Sequence, residues 1–430
     1  MKILVPTSTH PEKNSALNIY IKNIQKNLQE IGFEECIWFV YESNKIIKKE
    51  KNIFDIHDYS NAVEVLKEIK PDCVITNNNK FDVISYAFSL GAKFQNIPLI
   101  FYKSGDFGDL DNTPNYSNIK RNFLRNFNKM LLKESNSKKF HISFVRIKNN
   151  FLSQTKKETK SMLSENHNSI IEQYKFYLLG NIKNRFSNLA DLNLVNNEKW
   201  WNTLKDSGID ESKMKLVGNP YWDNFYQITK NRKLSRKIVS NKPIKILIVT
   251  TPLVEHGHWT EKFRDKFLKN IIEILDKSNE FKISLKIHPS SETLEVYKKL
   301  INNKSDEIKI FQRQSLWSII DDFDIILSYG YSMIHIEIAL VGKRMIFIDM
   351  DEGFREMPLI ESAIKSGFIE KTKKIENLPI LINKLCNKPI QFSDNHKNEI
   401  ERLIFKFDGN SGRRNAYAIY ELLVGKNRIS

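Results

Sequence analysis

Cysteine is scarce in this 430-residue chain, and Cys36, Cys73 and Cys386 stand far apart. Their spacing fits neither a zinc site nor a disulfide framework, so they are expected to be reduced and packed. Long apolar runs are missing as well. No stretch approaches the ~18 residues that a membrane-spanning helix needs. The opening "MKILVPTSTHPEKNS" turns polar too early for a secretory signal. A soluble, cytoplasmic protein is expected. There is no short internal repeat and no nucleic-acid reader motif, and the aromatic residues are not gathered on a basic strand face, so nucleic acid is not an expected partner.

What is present is enough to build real cores. Hydrophobic residues make up 41% and charged residues 27% of the chain, a globular balance rather than a disordered one. The length exceeds what one core usually serves, so two domains are expected. A net charge of +16 attracts phosphate in some form. Much of it is local: residues 118 to 160 hold twelve Lys or Arg against Glu134 and Glu158. Within that stretch, "RNFLRNFNKMLLK" (121 to 133) sets Phe123, Phe127, Met130 and Leu131 at helical spacing. It reads as an amphipathic helix with a core face and solvated lysines, and it could also make peripheral contact with an anionic membrane.

Strand and helix patterns alternate in two rounds. The first runs "KILVPT", "SALNIYIKNIQKNLQEIG", "CIWFVY", "SNAVEVLKEIK", "DCVITN", "FDVISYAFSLGAK" and "IPLIFYKSG". The second starts after the polar stretch 229 to 243 with "IKILIVTTP" and ends with the strand "RMIFIDM". Such alternation implies parallel pairing through right-handed crossovers, hence an α/β protein with two Rossmann-like doubly wound domains facing a cleft. The expected division is an acceptor domain at 1–228, carrying a basic helical insertion at about 113–185, then a linker at 229–243 and a donor domain at 244–395. A C-terminal helical segment, 396–430, is expected to pack back on the first domain.

Ligands of doubly wound sheets sit at the carboxyl ends of strands. There the second domain gathers Thr250 and Thr251, His288 and Ser290, and Gly330, Tyr331 and Ser332. Ser332 is placed to cap the helix that follows, whose first amides would face an anion, with Gly330 allowing close approach. Glu337 lies in an otherwise apolar helix, where a carboxylate needs a partner such as a pair of ribose hydroxyls. Two-residue separation puts His335 on another side, so an inward Glu337 implies an outward His335. In "SLKIHPSSETLE" the backbone before Pro289 is held extended, which fixes the direction of His288 for donation to a phosphate oxygen. Ser290, Ser291 and Glu292 read as the cap and first turn of the next helix. His256 and His258 lack a third ligand nearby and form no zinc signal. Their loop is expected to face the donor or acceptor, and Glu352 stands at another strand end.

"KIHPS", followed some forty residues later by "YSMIHIEIALVGKRMIFID", resembles the C-terminal domain of two-domain GT-B glycosyltransferases. The resemblance is to surface-polymer enzymes with a His-Pro motif: CDP-glycerol glycerophosphotransferases, bacterial polysialyltransferases and Kdo transferases. "VGNPYWDNF" and "ADLNLVNNEKW" are similar to segments ahead of the interdomain linker in those families. The resemblance implies that His288 and Ser332 bind the phosphate of a CMP- or CDP-linked donor and that Glu337 lies near the ribose. Many relatives carry two adjacent hydroxyl residues where this chain has Ser332 and Met333. "DGNSGRRNAYAIYELL" is similar to a closing segment of some members, which makes Arg413 and Arg414 weak candidates.

A transfer reaction also needs a base for the acceptor hydroxyl. "FYKSGDFGDLDN" (101 to 112) ends a first-domain strand and offers Asp106 between glycines, with Asp109 second. The polysialyltransferases are similar in placing an acidic residue beside a glycine. Lys103 and His10 are candidates for the acceptor side, His10 also as an alternative base. The expected partners are a nucleotide-activated sugar or alditol donor and a saccharide or lipid-linked acceptor, with no metal or other cofactor. UDP-GlcNAc 2-epimerases share the fold and a serine-glycine helix start, but their paired first-domain carboxylates are not evident here. A non-catalytic nucleotide-sugar binder would keep the fold and lose the base.

Overall fold

The computed structural model describes residues 2–8, 10–12, 16–32, 35–41, 50–77, 83–102, 137–160, 189–206, 208–230, 243–255, 259–277, 279–289, 291–301, 307–330, 332–350, 369–387, 398, 401 and 403–426. They form two compact units, Met1–Tyr226 with Arg402–Ser430, and Gln227–Glu401.

The first unit is built on seven parallel strands: β1 (Lys2–Thr7), β2 (Glu35–Val40), β3 (Ile53–Asp55), β4 (Cys73–Asn77), β5 (Leu99–Tyr102), β6 (Leu192–Val195) and β7 (Met214–Leu216). Their spatial order is β3-β2-β1-β4-β5-β6-β7. Side chains alternate along each strand, so β1 feeds two cores. Ile3 and Val5 pack with Tyr20, Ile21, Ile24 and Leu28 of α1 (Ala16–Gln29). Leu4 faces the other way, toward α2 (Ala62–Ile69), α3 (Val83–Phe94) and α4 (Ser137–Glu158). Helix α2 shows how the sequence sets such limits. The Asn61 side chain accepts the Glu64 N–H at 2.9 Å while Glu64 takes the Ser60 N–H at 2.9 Å, and Lys70 closes the helix in the left-handed region before Pro71. Helices α5 (Glu198–Asp206) and α6 (Tyr221–Thr229) follow β6 and β7.

The second unit has six parallel strands: β8 (Ile244–Val249), β9 (Phe281–Lys286), β10 (Lys309–Phe311), β11 (Ile325–Tyr329), β12 (Met345–Ile348) and β13 (Ile369–Thr372). Their order is β10-β9-β8-β11-β12-β13, which in unit numbering is the doubly wound order 3-2-1-4-5-6. The helices are α7 (Glu261–Asp276), α8 (Leu294–Leu300), α9 (Leu316–Ile319), α10 (Ile334–Val341) and α11 (Leu378–Asn387). One core joins Ile246 and Ile248 of β8, Leu285 of β9 and Leu327 of β11 to Phe267, Leu268 and Ile271 of α7. The chain then returns to the first unit, where α12 (Ser411–Gly425) packs beside α1 through Ala416, Ile419 and Leu423.

The sequence pattern shows neither β3 nor β13. Both are edge strands of three and four residues, too short for a periodic signal. Among the described residues, no helix is long and apolar enough to cross a membrane, and no group of His, Cys, Asp and Glu could hold a metal ion.

Candidate functional site at the carboxyl edge of the second sheet

In a doubly wound sheet the first and fourth strands lie side by side, and their connections leave in opposite directions, opening a crevice above their carboxyl ends. In the second unit those strands are β8 and β11, paired from Ile325↔Ile246 to Ser328↔Val249. Strand β9 flanks β8 on the other side. Thr250 and Thr251 leave β8, His288 leaves β9, and Gly330 and Ser332 leave β11. The structure therefore brings these five residues to one sheet edge.

The His288 loop is closed on itself. The Ser291 N–H donates to His288 Nδ1 at 3.0 Å. A nitrogen that accepts cannot carry the proton, so the neutral ring is protonated on Nε2. The His288 backbone N–H donates to Glu292 Oε2 at 2.6 Å. Glu292 is buried and also accepts from the Thr250 and Tyr297 hydroxyls. Its role differs from the helix-start reading: α8 begins at Leu294, beyond Thr293, and Glu292 serves as an internal acceptor. Burial, with Glu292 nearby, pushes the Tyr297 hydroxyl far above its usual range, so it remains a donor. Beneath the loop, Lys286 donates to the Ile287 and Gln312 carbonyls, both at 2.9 Å. Burial lowers the Lys286 pKa, and the Glu292 carboxylate opposes that shift.

On the other side of β8, the Thr251 hydroxyl donates to the Tyr329 carbonyl at 2.6 Å. The next residue, Gly330, has φ +72°, and a Cβ there would lie 3.2 Å from Thr251 Cβ and from both Leu253 methyls. Only glycine allows so close an approach in that conformation. The Tyr329 ring stacks on Trp259 with centroids 5.2 Å apart.

Two expectations about α10 are corrected. Ser332 does not cap the helix through its hydroxyl: the cap position is Met333, with no side-chain cap bond. The Ser332 carbonyl is what acts, accepting from the His335 backbone N–H at 3.3 Å and from His335 Nδ1 at 2.8 Å. The amides of Met333 and Ile334 precede the first intrahelical bonds and carry the anion-favouring end of the helix. His335 is not outward. Every residue from Ile334 to Val341 is buried, His335 and Glu337 among them, because α10 has no solvent face.

His335 is a structural histidine with a measurable signature. A carbonyl can only accept, so Nδ1 donates to Ser332 and Nε2 takes the Ser328 hydroxyl, 3.3 Å away. Burial lowers its pKa from the model-compound 6.5 to about 4, outweighing the bond to Ser332. The folded pKa lies below the unfolded one, so the unfolded chain takes up the proton first, and the stability contributed by neutral His335 is full above pH 6.5 and falls toward pH 4. Between pH 7 and 5 the wild type is expected to lose about 2 kcal/mol more than His335→Gln, read from urea unfolding at both pH values. Parallel curves would show that His335 does not titrate on unfolding.

Other candidates fall elsewhere. Asp106, Asp109, Lys103, Ser290, Tyr331 and His256, with His258 and Glu352, lie outside the described residues. His10 is half-buried after β1, with Nδ1 accepting the Glu12 N–H at 3.3 Å and its carbonyl accepting from Asn18 at 2.8 Å. Asp349 pairs with Lys371 at 3.1 Å. Arg414 is structural, donating to Asp408 at 2.7 Å and to the Val217 carbonyl at 2.9 Å. Arg413 lies over the Tyr417 ring, 5.4 Å from its centroid. One pair that the structure forms is not among the sequence candidates: His57 Nδ1 is 2.6 Å from buried Asp55 at the carboxyl end of β3. Its D-x-H spacing was the available signal.

No protein-family model and no curated protein sequence matches the chain. Solved structures do. The UDP-GlcNAc 2-epimerase from Neisseria meningitidis bound to UDP-GlcNAc aligns with 98% of this chain and 100% of its own, at 16% identity and a TM-score of 0.55. The fold is GT-B. The Methanocaldococcus jannaschii UDP-GlcNAc 2-epimerase in complex with UDP-GlcNAc and UDP covers 98% of this chain and 99% of its own, at 14% identity and a TM-score of 0.53. The S. aureus MnaA–UDP structure covers 100% of this chain and 97% of its own, at 14% identity and a TM-score of 0.54. At such identities the likeness concerns the two Rossmann-like domains alone.

Proposed function

We propose that this protein is a nucleotide-sugar enzyme whose second unit binds the phosphate of a CMP- or CDP-linked donor, and that it transfers the sugar or alditol phosphate group to a saccharide or lipid-linked acceptor of a surface polymer. The observation that carries this reading is the His288 loop. It keeps the proton of the neutral His288 ring on Nε2 just beyond the carboxyl end of β9, while the first amides of α10 stand at the edge of β11. An N–H donor together with helix-start amides is complementary to a phosphate that gains charge as its bond breaks. The His-Pro resemblance favours cytidine.

Glu337 is assigned to the ribose hydroxyls, and Tyr331, Ser290 and His256 to the donor side. Asp106 is the assigned base, with Asp109 second and His10 an alternative, and Lys103 is assigned to an acceptor anion. The base takes the acceptor hydroxyl proton, the acceptor oxygen forms the new bond, and the nucleotide leaves with its phosphate. The chemistry asks for no metal. The basic stretch that includes α4 suits peripheral contact with an anionic membrane.

The full-length likeness to UDP-GlcNAc 2-epimerase complexes favours a second reading, epimerisation of a UDP-sugar. A thermal-shift series with CMP, CDP, UDP, GDP and UDP-GlcNAc separates the two. A ligand held only by the folded state adds about 2.7 kcal/mol at a hundred times its Kd, so CMP or CDP is expected to raise Tm by several degrees. A response to UDP and UDP-GlcNAc alone, with 2-epimer appearing in the NMR spectrum, would replace the transferase reading by the epimerase one.

A further inference from the structure

The two anion-binding elements of the proposed site belong to different loops on either side of β8, and something must set the distance between them. We propose that Thr250, Thr251 and Glu292 are positioning residues that strap the His288 loop and the Tyr329–Gly330 end of β11 to the end of β8, a proposal that rests on the phosphate reading of that edge. From β8, the Thr250 hydroxyl reaches the β9 side and donates to Glu292. Its backbone N–H bonds the Lys286 carbonyl at 3.0 Å. The same Glu292 carboxylate fixes the His288 backbone N–H at 2.6 Å. The neighbouring Thr251 hydroxyl reaches the β11 side and holds the Tyr329 carbonyl at 2.6 Å, directly before Gly330. Two consecutive hydroxyls thus grip the two loops, one each.

A buried carboxylate is a demanding way to close a loop, since it must be compensated by donors or charge. Glu292 gathers three donors: the His288 amide and the Thr250 and Tyr297 hydroxyls. Thr250 and the His288 amide share Oε2 and Tyr297 takes Oε1, so a glutamine, with one oxygen, cannot accept on both sides of the fork. The His288 N–H and the Ser291 N–H have separate acceptors, the Glu292 side chain and Nδ1. The ring tautomer is thereby tied to a residue four positions away. The strap makes Thr250 and Thr251 supports of the site, their hydroxyl protons already committed within the protein.

The test uses the full chain, the isosteric variants Glu292→Gln, Thr250→Val and Thr251→Val, and the hydroxyl-keeping variant Thr251→Ser. The first readout is ligand-free: long-range ¹H–¹⁵N imidazole correlations are expected to show His288 as the Nε2–H tautomer in the wild type and as a mixture in Glu292→Gln. The second is calorimetric titration with CMP. Each of Glu292→Gln and Thr250→Val is expected to weaken binding about tenfold, the effect of one charge-assisted hydrogen bond. The double variant should fall little further, because both act through one carboxylate. Thr251→Val is expected to cost about tenfold independently, and Thr251→Ser to restore wild-type affinity. CMP affinities within twofold of wild type in all variants, or an unchanged His288 tautomer in Glu292→Gln, would overturn the strap. A wild type that ignores CMP would instead refute the cytidine reading, and the tautomer measurement would still decide the strap.

Discussion

His288→Ala is expected to reduce turnover of a CMP- or CDP-linked donor by about 10²-fold or more, the usual consequence of removing one preorganised donor from a developing oxyanion. The geometry explains why the loss should be large. Pro289 restricts the His288 backbone, Glu292 holds its amide, and Ser291 holds Nδ1, so the ring is fixed in place before any ligand arrives. His288→Gln can place an amide N–H near the same point and should recover part of the rate. Ser332→Ala should have a much smaller effect, within a few-fold, because the backbone carbonyl of Ser332 rather than its hydroxyl organises the start of α10. Initial rates and CMP titration of the three variants check this order. If His288→Ala keeps both rate and affinity while Ser332→Ala loses them, the phosphate contact belongs to α10 alone.

The doubly wound architecture was legible because buried parallel strands read as continuous apolar runs. "ILIV" in β8 and "IIL" in β11 have no polar face to interrupt them. Edge strands give no such signal, and "IEKT" of β13 is indistinguishable from loop. The gathering of Thr250, His288 and Gly330 at one sheet edge was equally legible, since Thr250 and Gly330 follow directly on strands and His288 lies two residues beyond one. Their partners were not. Glu292 takes its meaning from Thr250, 42 residues earlier, and from Tyr297 on α8, and no local pattern announces a contact across that separation. His335 was misplaced for a different reason. The rule that opposite helix faces differ in burial presumes a solvent face, and α10 is buried all round. A helix with eight buried residues in succession hides its histidine as readily as its isoleucines.

The turn "VGNP" is where a single methyl group should matter most for stability. Gly218 has φ +81°, and an added Cβ would lie 2.7 Å from Ser411 Oγ and 3.3 Å from Arg414 Nη2. Those atoms are not free to retreat. Arg414 is held by Asp408 at 2.7 Å and by the Val217 carbonyl at 2.9 Å, and Asn415 donates to the Gly218 carbonyl at 3.1 Å. Asp223, five residues after Gly218, accepts the first amides of α12, Ser411 N–H at 3.0 Å and Gly412 N–H at 2.6 Å. A carboxylate at that end also complements the helix dipole. Gly218→Ala therefore combines left-handed strain, about 1–2 kcal/mol, with overpacking of about 1–3 kcal/mol. The expected loss is about 2–5 kcal/mol, a large share of the stability of a single domain. Gly208 provides the control, since it has φ +83° with nothing within 4 Å of an added Cβ, so Gly208→Ala should lose only the strain. Denaturant unfolding of both variants separates the contributions. Equal losses would mean that α12 yields to the methyl group, and that the Asp223 and Arg414 contacts do not fix the helix against the turn.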